Sequence, residues 1–141
     1  MADLYDDDIL LWSEQQAELL RRRSANALDW DNLAEEIEAV GRNDLHAVES
    51  HLVMAMLLDL KAEAWPESRD VPHWRAEARL HCDEARRRYT PSMAQRIDMA
   101  KLFRQARRAM PEMMDGQPPL AGRKDAPTLA DLLTELPDET P

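Results

Sequence analysis

Apolar residues recur at helical rather than strand spacing along most of this chain. Leu33, Ile37 and Val40 share one helix face, while Glu35, Glu36 and Glu38 lie mostly off it. Asp31 or Asn32 suits the start of this helix as a cap, and Glu35 and Glu36 suit the positive end of its dipole. Beyond Gly41 the stripe resumes at Leu45, Val48, Leu52, Ala55, Met56 and Leu60. The stretch His51–Leu60 is apolar on nearly all sides, as in the central helix of a bundle. Gly41 either ends the helix, with Asn43 or Asp44 capping the next, or sits inside it at a close packing contact. The unbroken stripe favours one continuous or merely kinked helix to about Ala62.

The same reasoning places three more main helices. The first starts after Asp7 or Asp8 and carries Ile9, Leu10, Trp12, Gln16, Leu19 and Leu20 to Arg21-Arg22-Arg23. Ser24 to Trp30 is a short connection. Trp65-Pro66 closes the long helix, because proline disfavours helical geometry in the residue before it. Asp70-Val71-Pro72 reads as a cap with proline in the first turn, opening a helix through Trp74, Ala78, Cys82 and Ala85 to Arg88. Thr90-Pro91 repeats the device for a helix with Met93, Ile97, Ala100, Phe103 (or Ala106) and Met110 as its buried stripe. Asp115 to Pro127 reads as loop, and Thr128 with Asp131 as a loose capping box for a short leucine-docked helix. The expected architecture is all-α: four main helices in a bundle over residues 1–114, with 115–141 as loop and short C-terminal helix on the same single domain.

Composition supports this reading. The chain has 141 residues, enough to bury a core unaided, and its 3 glycines favour helix over sheet. A single cysteine, Cys82, fits a reducing compartment, and the acidic N-terminus lacks the charge of a secretory leader. The longest uncharged apolar run, Ser50 to Leu58, falls far short of the ~20 residues a membrane span needs. The expectation is a cytoplasmic protein without membrane contact.

Charge is unevenly spread. Residues 1–65 hold 5 basic and 15 acidic side chains, residues 66–110 hold 11 and 6, and residues 111–141 hold 2 and 7. Basic helices packed beside acidic ones account for this most simply. A basic surface for nucleic acid, built from Arg86, Arg87, Arg88, Arg104, Arg107 and Arg108, is the sharper alternative, and the net charge of −10 argues against it.

The order of features resembles a bacterial family known as domain of unknown function 29. The resemblance begins at Tyr5-Asp6 and Trp12 and is strongest at Asn32-Leu33-Ala34-Glu35-Glu36-Ile37-Glu38 followed by Gly41-Arg42. It continues through Glu49-Ser50, Trp74-Arg75 and Pro91-Ser92, over roughly residues 4 to 110. It implies an all-helical domain and no particular activity. Where the family pattern tends to His-Leu-Leu-Lys-Trp, this chain reads Leu58-Asp59-Leu60-Lys61-Ala62, without the histidine.

Candidate chemistry is sparse. His46 and Glu49, with Glu35 and Glu38, are the weak candidates for a metal, and Glu77 with His81 is a second pair at helical spacing. The Glu-x-x-His repeats of a bundle-core metal site are missing, so no cofactor is expected. Arg42 with His46 only faintly suggests a nuclease motif. Cys82 lies among Arg79, His81 and Arg86, neighbours that lower a thiol pKa, yet no base or oxyanion site accompanies it. Trp65, Met110, Met113 and Met114 are the expected partner contacts, as adaptable apolar surface. The favoured class is therefore a non-enzymatic interaction or regulatory protein that pairs with itself or another protein. A metal-dependent or nucleic-acid-acting enzyme is the alternative.

Overall fold

Short acidic and hydroxyl side chains set where most helices begin. In the computed structural model, which describes residues 3–134, Asp8 accepts a hydrogen bond from the Leu11 amide at 3.0 Å and opens a helix after it. Asp98 does the same for the amide of Lys101 at 3.1 Å. Thr128 and Asp131 close a full capping box, each side chain accepting the other's backbone N–H. The resulting helices are α1 (Leu4–Asp7), α2 (Ile9–Arg21), α3 (Trp30–Ala64), α4 (Val71–Arg88), α5 (Met99–Arg108) and α6 (Leu129–Leu133). Among the described residues there is no strand, so the all-α expectation holds, with α2 to α5 as the four longer helices.

Several boundaries differ from the sequence reading. The helix expected from Thr90-Pro91 is only a tight 3-10 turn over Pro91–Met93, and α5 starts later, at Met99. Asp98 is extended, and its side chain offers a better cap than Thr90, which makes no capping bond. Asp70 likewise does not cap α4 with its side chain. The long helix begins at Trp30, before Asp31 and Asn32.

The chain falls into two compact units, Met1–Asn43 and Asp44–Pro141. In the first, the buried residues are Trp12 and Gln16. The Tyr5 ring meets Trp12 edge-on at 4.9 Å, and its hydroxyl donates to Glu36. The Trp12 indole N–H donates to Asp29 at 3.1 Å, the Asn32 amide donates to it at 2.8 Å, and Gln16 accepts the Asp29 backbone N–H at 2.9 Å. Hydrogen bonds from Asn32 and Trp12 hold the Asp29 carboxyl below its ordinary range. The bond to Glu36, with some desolvation and nearby acidic charge, pushes the Tyr5 hydroxyl up to about 12.

In the second unit one face of α3 supplies the centre. Val48 and Leu52 are fully buried, and Met56 and Leu60 continue the row against Ala85 of α4, Leu102, Phe103 and Ala106 of α5, and Leu132 of α6. Met93 and Ile97 join this core from outside any α-helix, and the Ile97 amide donates to the Met93 carbonyl at 3.0 Å, a single helical-type turn that gives the pair helical spacing. A smaller cluster gathers Leu58, Ala62, Trp65, Trp74 and Ala78, and Met110 packs against both clusters.

Gly41 lies inside α3, and nothing comes within 4 Å of where its Cβ would be, so it is no packing contact. Gly41→Ala should raise stability in urea unfolding by up to about 1 kcal/mol, because glycine in an open helix interior carries only an entropic cost. Leu52→Ala should lower it by roughly 2–5 kcal/mol by the same measurement, as expected for a fully buried leucine.

Candidate functional site

The largest departure from ordinary burial lies on the first part of α3. Trp30, Ile37 and Val40 are 61%, 70% and 66% exposed. With Leu33, Ala34 and Gly41 they occupy one sector of the helix, free of charge across its width. The apolar face legible in the sequence is therefore real, but in this part of the helix it faces outward. Ile9, Leu10, Leu11 and Leu20 on α2 are exposed as well. Beside the stripe, Arg42 pairs with Glu35 at 2.9 Å and approaches Glu38 at 3.8 Å. Contiguous exposed apolar surface of this kind marks contact sites more often than chance.

A second feature lies in the other unit, where α3 ends. Trp65 is buried, and its indole N–H donates to the Gln117 carbonyl at 3.0 Å. The Leu120 amide donates to the Ala64 carbonyl at 2.9 Å, tying the following loop to the helix end. Met114 and Gln117 exchange backbone hydrogen bonds at 3.0 and 2.9 Å around Asp115 and Gly116. Both turn residues have positive φ, 50° and 77°, and glycine at the second relieves the strain. A cleft of roughly 520 Å³ results, with Trp65, Pro66, Ser68, Met114, Gln117 and Leu120 on its walls. Of the four sequence candidates for partner contact, Trp65 and Met114 share this cleft. Met113 is exposed, and Met110 is part-buried between the two clusters.

The metal candidates are placed as ordinary ion partners. Glu35 and Glu38 hold Arg42, and His46 lies 3.4 Å from Glu49. Among the described residues, no three His, Cys, Asp or Glu side chains gather as a ligand set. Glu77 meets His73 at 3.4 Å instead of forming the expected pair with His81. His81 turns to His51 of α3, with the two Nδ1 atoms 2.9 Å apart. This contact escaped sequence reasoning, because thirty residues separate the pair and only the docking of α4 on α3 brings them together. Burial pushes the Cys82 thiol up to about 11, with Asp59 and Asp83 adding to it against Arg86, so it is a poor nucleophile at neutral pH.

Arginines divide into two groups. Arg86, Arg87 and Arg88 face Asp83, Glu84 at 2.7 Å and Asp44 at 3.9 Å respectively. Arg104, Arg107 and Arg108 form no ion pair among the described residues, and Arg107 lies 5.8 Å over the Phe103 ring. α5 is thus sharply two-sided, with Leu102, Phe103 and Ala106 inward and Lys101, Arg104 and Arg108 outward.

Burial, then the adjacent His81 and Arg88, depress the His51 pKa, with Glu84 opposing. A depressed folded-state value means the unfolded chain binds the proton first. Stability is complete above the unfolded value of about 6.5 and is lost as pH falls towards the folded one. Urea unfolding between about pH 7 and about pH 5 should therefore show a steeper loss in the wild type than in His51→Gln.

A protein similar to this chain over 96% of its length and 92% of the other's is an α-helical protein of unknown function from Rhodospirillum rubrum ATCC 11170, solved by crystallography at 1.45 Å. The identity is 30% and the TM-score 0.65. No match is found among curated proteins. No helix among the described residues is long and apolar enough to cross a membrane. The family profile described as domain of unknown function DUF29 matches residues 4–135, and the chain belongs to that family.

Proposed function

We propose that this protein is a non-enzymatic interaction module and that its first partner is a second copy of itself. The observation that supports this reading is the uncharged, outward-facing stripe of Trp30, Ile37 and Val40 on α3. Burying such a stripe is worth roughly 25 cal/mol per Å² of apolar surface, a gain that remains unused in the isolated chain. Charge favours self-association. The unit Met1–Asn43 carries 4 basic and 11 acidic residues, while α5 in the other unit presents Lys101, Arg104 and Arg108 outward. An acidic rim around an apolar stripe on one copy complements that basic helix on another. Pairing of Arg86, Arg87 and Arg88 with carboxylates leaves less cationic surface for a phosphate backbone, which favours protein over nucleic acid as partner.

Sedimentation velocity across a range of protein concentrations tests this. The wild type should form a discrete oligomer that weakens with added salt. The pair Ile37→Glu and Val40→Glu should shift it to monomer with unchanged helical circular dichroism, since both positions are exposed. Arg104→Glu with Arg108→Glu should weaken it at least ~10-fold, about 1.4 kcal/mol. A wild type that stays monomeric up to the highest concentrations would overturn self-association and leave the stripe to a different protein.

A further inference from the structure

We propose that the cleft beyond the end of α3 is a binding site for a small organic cation, a primary ammonium carried on an aliphatic or aromatic stem. The cleft belongs wholly to the unit Asp44–Pro141, so it depends neither on the apolar stripe at the start of α3 nor on self-association. Its volume of roughly 520 Å³ falls within the range of small-molecule pockets. Pro66, Met114, Pro118 and Leu120 supply apolar wall. Leu120 is 60% exposed, so the stem of a guest covers hydrocarbon that water now touches.

The polar groups of the walls select the charge of the guest. Glu67 and Asp115 both line the cleft and both are exposed. Neither carboxylate forms an ion pair among the described residues. No lysine, arginine or histidine lines the cleft to neutralise them. Main N–H donors at the walls are already committed. The Trp65 indole serves the Gln117 carbonyl, the Leu120 amide serves the Ala64 carbonyl, and the Met114 and Gln117 amides serve each other's carbonyls. What is left is carboxylate and hydrocarbon, which suits an ammonium group on an apolar stem and disfavours an anion. The same bonds build the cleft before any guest arrives, by tying the loop after α5 to the end of α3. Little ordering remains to be done on binding, so a modest apolar area yields a measurable affinity.

Titration of the full chain with 2-phenylethylamine, followed by NMR, tests the site. The compounds 2-phenylethanol and phenylacetate serve as neutral and anionic guests of similar stem. The amine should saturate one site by ~10 mM, moving the Trp65 indole N–H and Met114 methyl signals. It should bind at least ~5-fold more tightly than the alcohol, and phenylacetate more weakly than either. This comparison uses the wild type alone and does not depend on a variant folding. Glu67→Gln combined with Asp115→Asn should remove the preference for the amine and leave binding of the alcohol as it was. Both residues are exposed, and asparagine tolerates the positive φ of 50° at position 115, so the fold is retained. Four results would each overturn the proposal: no saturable binding of the amine, a preference over the alcohol below ~5-fold, a preference that survives the double variant, or shifts centred on Trp30 instead of Trp65.

Discussion

Burial of one face of α3 from Val48 to Leu60 is the constraint on which the second unit rests. Val48 and Leu52 have no solvent contact, and α4, α5 and α6 each contribute side chains to the core around them. The other local features follow from that face. Asp59 on α3 receives Arg75 of α4 at 2.9 Å, Lys61 lies 5.9 Å over the Trp74 ring, and His51 meets His81. These polar and cation–π contacts flank the apolar row, where they set rotation and register more than they add stability.

The first unit is held differently. With only Trp12 and Gln16 buried among its described residues, it relies on a convergence of hydrogen bonds at Asp29 and on the Tyr5 bond to Glu36. Each such bond contributes on the order of 1 kcal/mol net, so specificity of the connection between α2 and α3 comes from geometry rather than from burial. This leaves the apolar stripe at Trp30, Ile37 and Val40 uncovered by its own unit, which is the physical ground for the interaction reading.

Much of the fold was legible because helical periodicity, proline stops and capping residues act locally. The continuous α3, the end at Trp65-Pro66, the opening at Asp8 and the capping box at Thr128 were all within reach of short-range rules. The late start of α5 was not, because Met93 and Ile97 reach the core from the 3-10 turn and the turn after it, where the Ile97 amide still donates to the Met93 carbonyl at 3.0 Å and so keeps helical spacing. Which face is buried is also a tertiary matter: Ile37 and Leu52 look alike in the sequence, yet one is exposed and the other sealed. The same holds for the candidate sites. Trp65 and Met114 could be named as apolar residues near helix ends, but their shared cleft depends on the positive-φ turn at Asp115-Gly116. The pairing of His51 with His81 has no local signal at all.

The tryptophans have a consequence of their own. Trp12, Trp65 and Trp74 are buried, whereas Trp30 stands in solvent on the apolar stripe of α3. Its indole N–H is held by the Ala25 carbonyl at 3.1 Å, which fixes its orientation without covering its ring. The protein thus carries an intrinsic optical reporter on the surface that matters most: one water-exposed fluorophore, open to small quenchers, against a background of three shielded ones. A molecule that covers the Trp30 ring takes it out of water and shifts that emission to the blue, while the three buried indoles stay as they are.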